Sequence, residues 1–160
     1  LVLRNGFLHT AVREKGGAYG GGASYDSNMA LFRFYSYRDP RIKGTLADFD
    51  ASIDWVLAGQ WDQRLVEEGI LEAIAKFDKP SSPVGEAKNA FYQCYFGKNK
   101  SILTVYRNGL LAVTQADVIA VAKRYLNKDS ASTAIVTHQA ALDAAGDLGM
   151  PIHSLIESEV

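Results

Sequence analysis

Five of the seven residues from Gly16 to Gly22 are glycine: Gly16, Gly17, Gly20, Gly21 and Gly22. No ordinary helix continues through such a stretch, because glycine loses more backbone freedom on ordering than any other residue. The chain before it has helical spacing: Leu1, Leu8 and Val12, with Phe7 and Ala11, make one apolar stripe between Leu1 and Lys15. Gly16-Gly17 ends that helix, since glycine readily takes the left-handed conformation common just past a helix end. Ala18 to Tyr25 then reads as a strand loosened by its glycines, and Asp26-Ser27-Asn28 supplies turn chemistry. Met29 to Tyr37 alternates, with Met29, Leu31, Arg33, Tyr35 and Tyr37 on one face and Ala30, Phe32, Phe34 and Ser36 on the other. Asp39-Pro40 stops it. The simplest product is a helix followed by an antiparallel hairpin.

From Thr45 the apolar period lengthens. Leu46, Phe49, Ile53 and Val56 predict a helix to about Ala58 behind a Thr45 cap, and Asp62 is placed to cap a second helix. Leu65, Ile70, Ile74 and Phe77, with Val66 and Leu71 beside them, form its expected buried side. Pro80-Ser81-Ser82-Pro83 is a helix–helix connection, too short for a domain linker. Helices are expected near 85–96 and 100–112, and Thr114 with Asp117 resembles a capping box opening another. Residues 132–137 are β-rich and read as a strand returning to the sheet. These elements describe an α+β domain over residues 1–137, with helices packed on one face of an antiparallel sheet. Residues 138–160 form a C-terminal tail, with a helical turn near 140–145 and no assigned place. A three-stranded sheet that begins after a helix is thin, so the domain is expected to lack its first strands.

Composition removes several function classes. In 160 residues, seventeen Lys and Arg face eighteen Asp and Glu, so a dedicated nucleic-acid partner is not expected. No apolar stretch approaches a membrane span, and a membrane partner is not expected either. Residues 1–43 hold seven Lys/Arg against three acids, a charge of +4 that leaves −5 for the rest and suggests an anion-friendly N-terminal face. His9, His138 and His153 form neither H-x-x-E-H nor H-E-x-x-H, and the i, i+4 pair His153 and Glu157 lacks a third ligand. No metal site is expected in the chain. The single Cys94, beside Tyr92 and Tyr95, reads as a buried small apolar residue. The glycines match neither phosphate-binding pattern, and they follow a helix rather than opening one.

Arg13 and Tyr19 remain. They flank the Gly16-Gly17 bend, which can fold a guanidinium and a phenol toward one spot. Both are donors suited to a peptide carbonyl, and better suited once its oxygen becomes anionic. The same two residues also suit structural posts, an arginine at a helix C-terminus and a tyrosine at a sheet edge.

The run from Val12 to Gly22, V-R-E-K-G-G-A-Y-G-G-G, resembles the C-terminal half of pitrilysin/insulinase-type zinc metalloendopeptidases, most closely the presequence-protease branch. The likeness continues through Ser36-Tyr37-Arg38-Asp39-Pro40, Asp54-Trp55, Leu110 to Thr114 and Arg124-Tyr125-Leu126, covering nearly all of residues 1–137. The resemblance implies a hydrolase in which the inverted zinc motif lies in an N-terminal half, the partner of this part. Zinc then belongs to the complete enzyme, and the isolated chain is expected to be inactive. Carried over, Tyr19 donates to the scissile carbonyl oxygen and Arg13 holds the substrate backbone or supports Tyr19. Gly20, Gly21 and Gly22 make sequence-tolerant substrate contacts. The implied substrates are unfolded peptides, including cleaved targeting peptides, and the implied place is the cytoplasm or an organelle matrix. The alternative is an inactive peptide-binding or structural subunit of the same descent.

Overall fold

The computed structural model describes residues 1–155. An opening helix, Arg4–Lys15, leads into an antiparallel pair, β1 (Gly20–Asp26) and β2 (Leu31–Tyr37), with Gly20 opposite Tyr37 and Asp26 opposite Leu31. Helices follow: α1 (Lys43–Ala58), α2 (Arg64–Phe77), α3 (Pro83–Tyr95), α4 (Lys100–Leu111), α5 (Gln115–Tyr125) and, after a short 3₁₀ turn, α6 (Gln139–Ala145). The architecture is α+β, as the residue pattern predicts.

The opening helix is wound wider than an α-helix, in the π form. Its buried residues show this: Leu3, Leu8 and Val12 recur at five and four positions, so Leu3 joins the expected stripe while Leu1 is only half-buried. That face packs on β1 and on α1, and Leu8, Val12, Ala18, Val56 and Val66 make the centre of the core. Trp61 closes one end, its indole N–H donating to the Val56 carbonyl at 3.1 Å. Gln115 at the start of α5 then donates to the carbonyls of Gly59 (3.1 Å) and Trp61 (2.9 Å), tying α5 to the loop after α1. The capping box of α5 forms as read: Asp117 N–H donates to Thr114 Oγ1, and Thr114 N–H to Asp117.

Several local expectations are corrected. Helix α1 begins at Lys43, before Thr45, whose buried hydroxyl instead donates to Asp39 Oδ2 at 2.6 Å. On α2 Val66 is buried as expected and Leu65, Ile70 and Ile74 are half-buried, but Leu71 stands largely in solvent. The Phe77 side chain and Glu157 lie outside the described residues. Cys94 is exposed, because α3 also leaves Phe91 and Tyr95 largely in solvent. Residues 132–137 form no strand, and the sheet of the described residues has only β1 and β2. A groove of about 1020 Å³ separates them from β2, lined by β2 on one side, Phe49 and Ile53 of α1 below, and Ile135 and Val136 opposite. Consecutive residues Leu31 to Ser36 all line it, so the free edge of β2 faces this gap.

An ion triad joins the opening helix to α2. Glu72 receives Lys76 Nζ and Arg4 Nη2, each at 2.7 Å. Hydrogen bonding from Lys76, and then from Arg4, holds its carboxyl down from the ordinary 4.5 to about 2. A carboxyl depressed on folding stabilises the fold fully above its ordinary value and loses that contribution as pH falls toward its folded one. Stability should therefore drop between about pH 5 and pH 2, and Glu72→Gln should flatten that slope. Melting curves of both proteins across this range decide it; parallel slopes would contradict the assignment.

Candidate functional site

The bend between Arg13 and Tyr19 is built from backbone hydrogen bonds and one half-buried arginine. The carbonyls of Val12 and Arg13 accept from Ala18 N–H (3.2 Å) and Gly17 N–H (3.1 Å), which turns the chain straight from helix into strand. Gly17 has φ +81, the left-handed conformation the sequence asks of it. Gly16 is buried: a Cβ there would meet the Arg41 guanidinium and the Val12 carbonyl. Arg41 in turn donates through Nη2 to the Ala11 carbonyl at 3.3 Å and to Asp48 at 2.8 Å, while its Nε is buried without a partner. The helix end carrying Arg13 is thus clamped to α1.

Arg13 and Tyr19 both reach solvent from either side of this bend, Tyr19 with 68% of its surface exposed. No hydrogen bond joins their side chains among the described residues. Tyr19 does have company. Its ring meets Tyr37 edge-on at 6.1 Å, and the Arg38 guanidinium carbon stands 5.7 Å from the Tyr19 centroid and 5.3 Å from that of Tyr37. Tyr19 N–H also donates to the Arg38 carbonyl at 3.2 Å. Arg38 takes φ +49, a left-handed backbone uncommon for a residue with a Cβ. Sequence reasoning did not single out Arg38 or Arg41. The signals were their place around the Asp39-Pro40 turn and, for Arg38, its position in the run Ser36 to Pro40.

The three strand glycines differ. A Cβ at Gly21 would stand 2.7 Å from Val12 Cγ1, and one at Gly22 would stand 2.8 Å from Arg4 Cγ, so both let the opening helix lie close on β1. Gly20 meets nothing within 4 Å and is open to an outside partner. Among the described residues no three His, Cys, Asp or Glu side chains are grouped as a zinc centre would require.

A family model of the PreP C-terminal domain matches residues 1–138. The chain belongs to the PreP C-terminal domain family. Mitochondrial presequence proteases are similar to it: that of Xenopus tropicalis is 40% identical over 127 residues, 78% of this chain and 12% of the relative. The one from Saccharomyces cerevisiae is 42% identical over 130 residues, 80% and 13%, and that of Mus musculus 37% over 120 residues, 75% and 11%. The PreP C-terminal domain described here therefore spans about an eighth of the length of these curated relatives. It is a protease-family part, and its exposed Arg13 and Tyr19 lie inside the matched region.

Proposed function

We propose that this PreP C-terminal domain serves a zinc metalloendopeptidase that degrades unfolded peptides, cleaved targeting peptides among them, in an organelle matrix. Its own contribution is a pair of donors on the substrate. The Tyr19 hydroxyl donates to the scissile carbonyl oxygen as that oxygen gains negative charge. The Arg13 guanidinium holds a neighbouring peptide carbonyl in its planar fork. Of Gly20, Gly21 and Gly22, Gly20 has the open face for the substrate, while Gly21 and Gly22 seat the opening helix on β1. The metal and the attacking water belong to the N-terminal half of the complete enzyme, the partner of this domain.

One observation carries this reading. The phenol of Tyr19 is mostly exposed, yet it is set by a bend that Arg41 and Gly16 fix from behind. The bend fixes where the phenol leaves the backbone, and a donor aimed beforehand costs less reorganisation when charge develops on the substrate.

Arg13→Lys in the complete enzyme tests the other half of the pair. Lysine keeps the charge but not the fork, so kcat/KM should fall by about tenfold or more with folding unchanged. Peptide-cleavage kinetics read this directly. An unchanged kcat/KM would leave Arg13 a helix-terminal charge and nothing more.

A further inference from the structure

The reading of Tyr19 as an oxyanion donor leaves a difficulty. A largely exposed side chain ordinarily changes rotamer on the picosecond-to-nanosecond scale, and a donor that wanders contributes little to a transition state. Something must hold the ring. We propose that Arg38 is the positioning residue for Tyr19, acting from the β2 side through both its backbone and its guanidinium. This inference rests on the role proposed for Tyr19.

Four observations carry it. The Arg38 carbonyl receives the Tyr19 N–H at 3.2 Å, fixing where the side chain leaves the main chain. The guanidinium sits against the rings of Tyr19 and Tyr37, at 5.7 and 5.3 Å from their centroids, within the range of cation–π attraction. Those rings meet edge to face at 6.1 Å and 80°, so Tyr37 restrains Tyr19 from a second direction. Among the described residues Arg38 has no ion pair or side-chain hydrogen bond that would draw its guanidinium away from the rings.

The backbone at Arg38 fits this role. Its φ of +49 is disfavoured for a residue with a Cβ, and the turn beyond it keeps it there. Asp39 Oδ1 accepts the Arg41 N–H at 2.9 Å and Asp39 Oδ2 accepts the Thr45 hydroxyl at 2.6 Å. A glycine would take this conformation freely. The left-handed backbone therefore does not itself call for an arginine, and what distinguishes Arg38 from a glycine here is the guanidinium beside the two rings.

The left-handed backbone also supplies the test. Arg38→Gly suits the turn, so it should fold with an unchanged or raised Tm while removing the guanidinium. In the complete enzyme it should lower kcat about tenfold with KM nearly constant, and Arg38→Lys, which keeps a cation, should recover most of that loss. In a Tyr19→Phe background, Arg38→Gly should cost nothing further, because there is no hydroxyl left to position. An equal loss in both backgrounds, full kcat in Arg38→Gly, or failure of that variant to fold would each overturn the proposal. Tyr19→Phe with undiminished kcat would instead remove the role of Tyr19, and this inference with it. A normal Tyr19→Phe loss without coupling to Arg38 would overturn only this inference.

Discussion

Tyr19→Phe in the complete enzyme should lower kcat by ~10²–10³-fold, the scale on which losing one oxyanion donor is felt. Phenylalanine keeps the ring, its edge-on contact with Tyr37 and its place beside the Arg38 guanidinium, so only the hydroxyl is tested. KM should change little, since the hydrogen bond is strongest when the carbonyl oxygen is anionic and the neutral substrate gains less from it. Thermal stability should also hold, because the residue is mostly exposed and its hydroxyl supports no part of the core. Steady-state kinetics with one peptide substrate separate the cases. A rise in KM alone would make Tyr19 a binding contact, and no change would exclude it from the reaction.

The second large effect concerns folding. Gly16→Ala places a methyl group against the Arg41 guanidinium and the Val12 carbonyl oxygen. The guanidinium could swing aside, but it would give up Asp48 and the Ala11 carbonyl. The Val12 carbonyl belongs to the helix backbone and also accepts the Ala18 N–H, so it yields only if the bend opens. Overpacking at such a site costs about 3 kcal/mol, or a fall in Tm of roughly 6–12 °C for a chain of this size. Gly20→Ala is the control, since nothing lies within 4 Å of its added carbon. Calorimetry of the two variants should show a clear gap. Equal melting temperatures would mean that Arg41 does not clamp the bend.

What the sequence made legible was what neighbours in the chain decide. The Thr114–Asp117 box, the stop at Gly16-Gly17 and the Asp39-Pro40 turn depend on groups a few residues apart, and each forms. Thr45 was misplaced because its partner, Asp39, lies in the preceding turn and draws the hydroxyl away from a cap. Residues 132–137 have strand composition, but pairing needs a second backbone at the right distance, and β2 stands across a groove. Cys94 follows from the same cause. Its helix has the apolar residues for burial, but little packs against them.

At the candidate site, the sequence puts Arg13 and Tyr19 on either side of a glycine bend, and the structure leaves both side chains in solvent there. Their supports were not readable in the sequence. Arg38 acts through a positive φ that arginine does not advertise, and Arg41 reaches the Ala11 carbonyl thirty positions back. Long-range placement of long cationic side chains leaves almost no local trace in a sequence.

The most direct measurement is a structure of the complete enzyme, rendered inactive at its attacking group, with a peptide bound across the cleavage point. The account predicts the Tyr19 hydroxyl about 2.7–3.1 Å from the position of the scissile carbonyl oxygen, with Arg13 on an adjacent carbonyl of the same peptide. A peptide bound with both side chains turned away from it would contradict the account.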